Sequence, residues 1–351
     1  YWYKSGVNEK MIEELKSIVL SSQKFIKLSN SDCVVDIASN DGTLLNFYDE
    51  NIDCIGFDPS DVAKKSENYI KNKLLVNDFF NAASFNKISK KKAKVISCIS
   101  MFYDLEDPKK FLSDVKEILD DNGILIVQLG YMPLMMDLNE FGYISHEHLC
   151  YYTFKNLLDL FDSENFEIFD VDINDCNGGS IRMYITHKGK TNNLKCPSNL
   201  INIGSLKVDS LLLKETKGNY NQLETFVKFK DRIEKLKKET IDWLNEQKKM
   251  GKKVIGYGAS TKGNVLLQYY NIDQDLLPYI AERSPEKFGL CTPGTGIPII
   301  SENEMRSMKP DYLFALPWFF ISNFIEREKK LILENGTKFV IPQPSLKILD
   351  L

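Results

Sequence analysis

The feature that most constrains this chain is a pattern that occurs twice: a short apolar run, a polar turn containing glycine, and then a helical periodicity. The first run is Cys33–Ile37, which leads into Asn40-Asp41-Gly42. The second is 253–258, which leads into a helical pattern at 264–270. Further apolar runs alternate with helical patterns after each of them. This alternation predicts parallel sheets with helices on both faces.

We therefore predict an α/β protein with two Rossmann-like domains in series, the first with a class I methyltransferase fold, joined by a long helix. The boundaries follow from the pattern: a first domain at 1–190, a helical connector at 191–250 and a second domain at 251–351. A chain of 351 residues is long enough to bury two cores. Two apolar segments around Asn177-Gly178-Gly179 predict a hairpin at the edge of the first sheet.

Composition excludes several classes of partner. A net charge of −4 gives no general attraction to nucleic acid or to an anionic membrane. No stretch approaches the roughly 20 apolar residues of a membrane helix, and no leader peptide begins the sequence. The seven cysteines are scattered without a CxxC pair, which favours a reducing cytoplasm over a disulfide framework or a zinc site. We expect a cytoplasmic enzyme whose partner is a small molecule.

The first glycine-containing turn predicts a site for an adenosine cofactor. Asp36 and Gly42 bracket the turn, and Asp58 closes the next apolar run 22 residues after Asp36. That spacing is near the roughly 20 residues expected for an acid that binds ribose. Ala38 and Asn40 stand where dinucleotide enzymes have glycine. S-adenosylmethionine has no pyrophosphate to accommodate, so these residues favour it over NAD.

A third apolar run ends in Asp78 and Phe79, which can offer a carboxylate to the adenine amino group and a ring to the adenine face. The alternative is that these acids only cap helices and turns, as Asp commonly does. The three features in chain order favour cofactor binding.

Two of the three histidines lie in the tripeptide His146-Glu147-His148. The spacing is not the HExxH of zinc proteases and no third ligand is nearby, so we predict no metal. A histidine suits general acid–base chemistry better, because it can take a carbon-bound proton that a neighbouring ketone has acidified. Glu147 can orient an imidazole. The alternative is a buried histidine with a structural role.

The second glycine-containing turn predicts a phosphate or nucleotide site. Ser260, Thr261, Lys262 and Asn264 lie where a strand meets a helix, and helix N-termini attract anions. The turn is neither GxxxxGK[ST] nor GxGxxG, which argues against ATP hydrolysis and NAD binding. The alternative is a glycine-rich packing turn.

Together these motifs resemble the sugar-nucleotide C-methyltransferase family, class I S-adenosylmethionine-dependent enzymes that methylate a carbon of nucleotide-linked keto sugars. The resemblance runs through nearly the whole chain. The motifs are YWYKSG at 1–6, DIASNDGTLL at 36–45, GFDPS at 56–60, DFFN at 78–81, ISHEHLCYY at 144–152, NGGSIR at 177–182, GYGASTKGNVLL at 256–267, PGTGIP at 293–298 and LPW at 316–318.

The resemblance implies that the cofactor lies in the first domain and the sugar nucleotide in the cleft toward the second. It implies His148 as the general base, with Glu147 and His146 beside it and Tyr3 near the reaction centre. The further cofactor contacts assigned on these motifs are Tyr3, Ser5, Pro59, Ser100, Met101 and Phe102. The further acceptor contacts are Tyr103 and Asn177.

Three departures from the family pattern leave parts of this prediction open. Ser145 stands where many members have tyrosine, and 100–105 reads as a less characterised branch. The acceptor, and carbon against oxygen methylation, therefore stay open. The zinc-binding domain that usually precedes the opening motif is absent, so no zinc is expected. A catalytically silent nucleotide-sugar binding protein is the alternative from another class, and an NAD-dependent oxidoreductase is disfavoured by the missing glycines.

Overall fold

The computed structural model describes residues 4–65 and 73–350. Its α-helices are α1 Glu9–Ser22, α2 Asp61–Lys65, α3 Ala82–Ile88, α4 Pro108–Ile118, α5 Met132–Asp137, α6 Phe154–Ser163, α7 Ser198–Gly218, α8 Leu223–Lys249, α9 Thr261–Tyr270, α10 Glu302–Met308, α11 Ile321–Arg327 and α12 Lys329–Asn335. Its strands are β1 Cys33–Ile37, β2 Asp53–Phe57, β3 Lys73–Val76, β4 Ala93–Ile99, β5 Leu119–Gly130, β6 Phe166–Asn174, β7 Ser180–His187, β8 Val254–Tyr257, β9 Ile280–Glu282, β10 Ile299–Ser301, β11 Tyr312–Ala315, β12 Lys338–Ile341 and β13 Lys347–Leu349.

Seven strands of the described chain form the first sheet, in the order β3-β2-β1-β4-β5-β7-β6. Strands β1 to β5 are parallel, and β7 pairs antiparallel with both β5 and β6. The parallel part has the doubly wound order of a Rossmann-like sheet. The antiparallel pair is the hairpin predicted around Asn177. This is the class I methyltransferase fold, and the predicted fold class is confirmed.

The first sheet forms where the sequence has unbroken apolar runs. Every residue of β1 is buried, and so is most of β5, as expected for parallel strands covered on both faces. Helix α1 covers this core with Met11, Leu15 and Ile18, which recur at the spacing of one helical face. The side chain of Asn8 caps the first turn of α1.

The second sheet contains six described strands in the order β10-β9-β8-β11-β12-β13. The first five are parallel and β13 is antiparallel to β12. Strands β8, β9, β11 and β12 coincide with apolar runs in the sequence. Strands β9, β10 and β13 have three residues each, and sequence reasoning missed the last two.

The described chain separates into two compact units whose boundaries differ from the sequence-based ones. Unit 1 contains the described residues through Tyr131 together with Leu149–Gly218; unit 2 contains Met132–His148 and the described residues from Asn219 onward. The segment Met132–His148 joins unit 2 through packing on its helices. For example, Arg232 of α8 donates to the carbonyl of Met136 at 2.7 Å.

The predicted helical connector is two helices that belong to different units. Helix α7 packs on β6 in unit 1, and the two backbones approach closely at Gly204, where a Cβ atom would lie 2.3 Å from the carbonyl oxygen of Phe169. Helix α8 belongs to unit 2 and buries Phe229, Ile233 and Leu236. Of the helices described, none has the length and apolarity needed to cross a membrane.

Candidate active site

In unit 1 the turn after β1 lies at the carboxyl end of the sheet and contains three residues with left-handed backbone. Ala38 and Asn40 have φ angles of 59° and 52°, and Gly42 has 76°. Left-handed backbone is uncommon for alanine, and such conformations persist only where surrounding contacts fix them. Here the Asn40 N–H donates to Oδ2 of Asp58 at 2.9 Å, and the Ser39 N–H donates to the carbonyl of Phe57 at 3.1 Å. The end of β2 therefore shapes the turn that follows β1.

The opening segment of the described chain lies against the same turn. The backbone N–H of Ser5 donates to Oδ1 of Asn40 at 3.0 Å, and that of Gly6 donates to Oδ2 of Asp41 at 2.8 Å. A Cβ atom on Gly6 would lie 2.8 Å from Oγ1 of Thr43. The structure thus brings Ser5 to the turn assigned to the cofactor. Tyr3 lies outside the described residues.

Asp36 is the buried carboxyl of this site. Burial raises the pKa of Asp36 to about 7; the nearby Asp58 contributes in the same direction, and a hydrogen bond from Ser97 opposes it. Oγ of Ser97 donates to Oδ1 of Asp36 at 2.5 Å. A carboxyl in this state is a frequent mark of a functional site.

Replacing Asp36 with asparagine is expected to stabilise the free protein, increasingly so as the pH rises. With its pKa near 7, the folded chain keeps a proton that the unfolded chain releases at about pH 4. Ionisation of Asp36 therefore lowers the free energy of unfolding as the pH rises from about 4 to about 7. Asparagine does not ionise. Urea denaturation should show its advantage over wild type growing by about 3 kcal/mol between pH 4.5 and pH 8. A difference that is the same at both pH values would contradict this.

The loops after β2 and β3 present the remaining adenosine candidates. The side-chain amide of Asn77 donates to the carbonyl oxygens of Asp58 and Ser60 at 3.0 and 2.8 Å. Beyond it, the ring of Phe79 is 72% exposed, and Asp78 is also exposed. Pro59 lies on the surface of the same loop. These loops therefore carry an exposed aromatic ring and, at Asp58, a buried acid, two of the groups that the sequence assigns to adenosine.

The loop after β4 contains three residues that the sequence assigns to the cofactor, Ser100, Met101 and Phe102. Ser100 has a φ of 56° and donates its N–H to the carbonyl of Gln128 at 2.7 Å, so it and Met101 remain candidates. The ring of Phe102 is fully buried and packs against aromatic rings of Phe111 and Phe161. The ring of Phe102 therefore packs in the core, and its assignment to the cofactor stays a prediction.

Two residues of unit 1, Tyr103 and Asn177, are candidates for contact with the methyl acceptor. The buried Tyr103 accepts hydrogen bonds at its carbonyl oxygen from the N–H groups of Leu149 and Cys150, both at 3.0 Å. Asn177 lies in the β6–β7 turn with a φ of 52°, next to the point where the hairpin meets the carboxyl end of β5. The structure brings both to the end of the sheet where the cofactor turn lies.

In unit 2, His148 is held by the segment that precedes it. Its Nδ1 lies 2.6 Å from the carbonyl oxygen of Tyr143, and the two rings are 4.8 Å apart. A carbonyl oxygen can only accept, so Nδ1 carries the proton and Nε2 is the basic nitrogen of the neutral ring. Burial lowers the pKa of His148, and the positive charge of Lys262 lowers it further. His146 and Glu147 are exposed.

The turn before α9 carries the predicted phosphate residues. The hydroxyl of Ser260 caps the helix by accepting from the N–H of Gly263 at 3.0 Å, and Thr261 and Asn264 lie in the first turn. Nζ of Lys262 lies 4.0 Å from the centroid of the Tyr143 ring and 3.9 Å from Oε1 of Glu140. The structure therefore brings Lys262 together with the histidine segment, a contact that sequence reasoning did not foresee.

Glu140 and Tyr143 are the candidate residues that sequence reasoning missed. Glu140 is the one acid in the apolar stretch 138–145, just before the histidine motif, and that isolation was the available signal. Its carboxylate is 2% exposed and accepts a hydrogen bond from Nε1 of Trp318. Among the residues described, no three His, Cys, Asp or Glu side chains cluster as a metal site would require.

Solved structures resemble part of the chain. The methyltransferase in a complex with the Haloferax volcanii Trm112 methyltransferase activator is 12% identical, with a TM-score of 0.42 over 52% of this chain and 94% of its own. The plantazolicin methyltransferase BpumL, in complex with SAH, is 12% identical, with a TM-score of 0.39 over 50% of this chain and 82% of its own.

Family models and a full-length relative cover nearly the whole chain. Residues 7–171 match the model described as a methyltransferase domain, and residues 175–344 match the one described as the C-methyltransferase C-terminal domain. The chain is 26% identical over 356 residues to the C-methyltransferase NovU of Streptomyces niveus, which covers 100% of this chain and 81% of NovU. The protein is an S-adenosylmethionine-dependent methyltransferase. With both parts present in this order, the chain is similar to C-methyltransferases over nearly its whole length.

Proposed function

We propose that the protein methylates the carbon next to the ketone of a nucleotide-linked sugar, with His148 as the general base. The observation that carries this proposal is the hydrogen bond between Nδ1 of His148 and the carbonyl of Tyr143. It fixes the tautomer whose Nε2 can accept a proton. The lowered pKa keeps that nitrogen unprotonated at neutral pH.

The residues of unit 1 fit the cofactor of the family. Asp58 closes β2 where a ribose-binding acid is expected, and the left-handed turn at Ala38 and Asn40 lets backbone approach a ligand without the glycines that a pyrophosphate needs. Phe79 offers an exposed face to adenine. When bound, S-adenosylmethionine supplies an electrophilic methyl group on a sulfonium.

The chain's own contribution to the reaction is proton removal. Nε2 of His148 takes the carbon-bound proton next to the ketone, and the electron pair of that C–H bond forms an enolate. The enolate carbon then bonds to the methyl carbon as the sulfur–methyl bond breaks, which leaves S-adenosylhomocysteine. The proton on His148 passes to solvent through the exposed side of the segment, where we place His146 and Glu147. We assign the developing oxyanion to Tyr3 or a backbone N–H.

We propose that the acceptor's phosphates bind at the first turn of α9. The free N–H groups and positive dipole end of that helix favour an anion, with Thr261 and Asn264 alongside. The hydroxyl of Ser260 is already used as the helix cap. Tyr103 and Asn177 are proposed as further acceptor contacts.

The test is to incubate the protein with S-adenosylmethionine and a panel of nucleotide-linked keto sugars, and to measure S-adenosylhomocysteine by mass spectrometry. Formation with one acceptor is the expected result. Carbon-13 NMR of the product then separates a methyl on carbon from a methyl on oxygen, since their shifts differ widely. A methyl on oxygen would contradict the proposed carbon chemistry. Tight cofactor binding without product for any sugar would contradict the proposed acceptor class.

A further inference from the structure

The ring of Tyr143 links two groups with different roles in unit 2. On one side Nζ of Lys262 lies 4.0 Å from the ring centroid, and the ring of Phe319 is 4.9 Å from the same ammonium. The imidazole of His148 packs against Tyr143 at 4.8 Å and bonds to its carbonyl. Lys262 on α9 and His148 on the loop therefore contact the same residue, Tyr143.

Glu140 fixes the lysine in this place. A carboxylate that is 2% exposed is costly unless it is paired, and Glu140 has two partners: Nε1 of Trp318 on Oε2 and Nζ of Lys262 at 3.9 Å from Oε1. The packing leaves little freedom. A Cβ atom on Gly142 would lie 2.8 Å from Oε1 of Glu140 and 3.0 Å from the carbonyl oxygen of Lys262.

We infer that Glu140 and Lys262 are positioning residues for His148: the buried carboxylate holds the lysine on the ring of Tyr143, and Tyr143 holds the imidazole. The inference deepens the proposed function and rests on it for its catalytic meaning. Lys262 makes the cation–π contact with the ring of Tyr143, and His148 is hydrogen-bonded to the carbonyl of the same tyrosine. The orientation of Nε2 therefore depends on Lys262.

The charges that face His148 give this arrangement an electrostatic consequence. Burial is the largest cause that lowers the pKa of His148, and the hydrogen bond to the Tyr143 carbonyl opposes it. The charges of Lys262 from α9 and His146 lower the pKa further, whereas Glu147 raises it. Glu140 is not among these direct influences. Its effect on the imidazole is therefore expected to pass through Lys262.

The test measures the titration of His148 by NMR in the whole protein labelled at histidine. The chain has three histidines, so His148→Gln assigns the resonance directly. Lys262→Met should move the titration midpoint upward by about 0.5–1 pH unit, because a nearby positive charge is removed. Glu140→Gln alone should move it upward by less, as the lysine loses its anchor. Lys262→Arg, which keeps the charge, should restore most of the wild-type midpoint.

A double-mutant cycle separates coupling from general disruption. Adding Glu140→Gln to Lys262→Met removes the buried carboxylate that has lost its lysine, and it should move the midpoint no further. Lys237→Met is the matched control. Lys237 also lies over an aromatic ring, that of Tyr269 at 4.9 Å, but is not among the charges that influence His148. This control should keep the wild-type midpoint.

Two outcomes would overturn the inference: a wild-type midpoint in Lys262→Met, or a shift from Glu140→Gln that is as large without Lys262 as with it. Failure of the proposed function looks different. If the midpoints move as expected but the acid limb of the activity profile does not follow them, His148 is positioned by Lys262 and is not the base.

Discussion

Replacing His148 with glutamine is expected to lower kcat by about 10²–10⁴-fold, the contribution typical of a general base, and to leave the affinity for S-adenosylmethionine unchanged. Glutamine has the size to keep a contact with the carbonyl of Tyr143, but it cannot accept a proton. The cofactor candidates lie in unit 1, whereas His148 lies in unit 2. Calorimetry for cofactor binding and turnover of the identified sugar nucleotide measure the two effects separately.

His187 provides the control for this substitution. It ends β7 in unit 1, and its ring stacks on that of Phe166 in β6. His187→Gln should keep most of the turnover. Deuterium exchange at the carbon next to the ketone should disappear in His148→Gln alone. Exchange at the wild-type rate in that variant would remove His148 from the role of base.

The pH dependence of the wild-type enzyme should follow the same group. The pKa of His148 lies below its ordinary value of about 6.5, mainly because burial penalises the imidazolium. The base works when it is neutral, so activity should fall only as the pH drops below about 6.5. A profile of kcat/KM against pH whose acid limb lies above pH 7 would contradict the assignment.

Much of the fold could be predicted from the sequence because its strands are unbroken apolar runs. β1 and β5 are buried on both faces, and their flanking turns contain glycine and asparagine, so periodicity and turn chemistry agree. The three-residue strands β10 and β13 leave no such pattern. The segment Met132–His148 follows β5 directly in sequence, yet it packs on α8 and α9, and no local pattern reports a contact with helices more than ninety residues away.

Only part of the candidate site could be predicted from the sequence, as with the fold. The histidine motif and the acids Asp36 and Asp58 stand out because they interrupt apolar runs or cluster rare residues. The pairing of Glu140 with Lys262 is invisible in sequence, since 122 positions separate them and only the packing of the loop on α9 joins them. The burial of Phe102 is also invisible in sequence: the residue follows a strand at the ligand-binding edge, but its ring packs in the aromatic core.

Replacing Asp58 with asparagine is expected to weaken the binding of S-adenosylmethionine by about 30–100-fold. Both carboxylate oxygens of Asp58 accept from backbone: Oδ2 from Asn40 at 2.9 Å and Oδ1 from Ser60 at 2.8 Å. Asparagine turns one acceptor into a donor, which would face an N–H group. Hydrogen bonds to a buried charge contribute about 1.5–3 kcal/mol, and 1.4 kcal/mol is tenfold in affinity.

The matched control for this prediction lies on the same strand. Asp53 begins β2, is paired at the surface with Lys91 at 2.5 Å, and lies at the end of the strand away from the turn. Calorimetry should give Asp53→Asn the affinity of wild type. If Asp58→Asn bound as tightly as Asp53→Asn, the acid at the end of β2 would neither contact the ribose nor shape the turn that receives the cofactor. A loss in Asp58→Asn alone would place the adenosine at the carboxyl end of β1 and β2, independently of any acceptor.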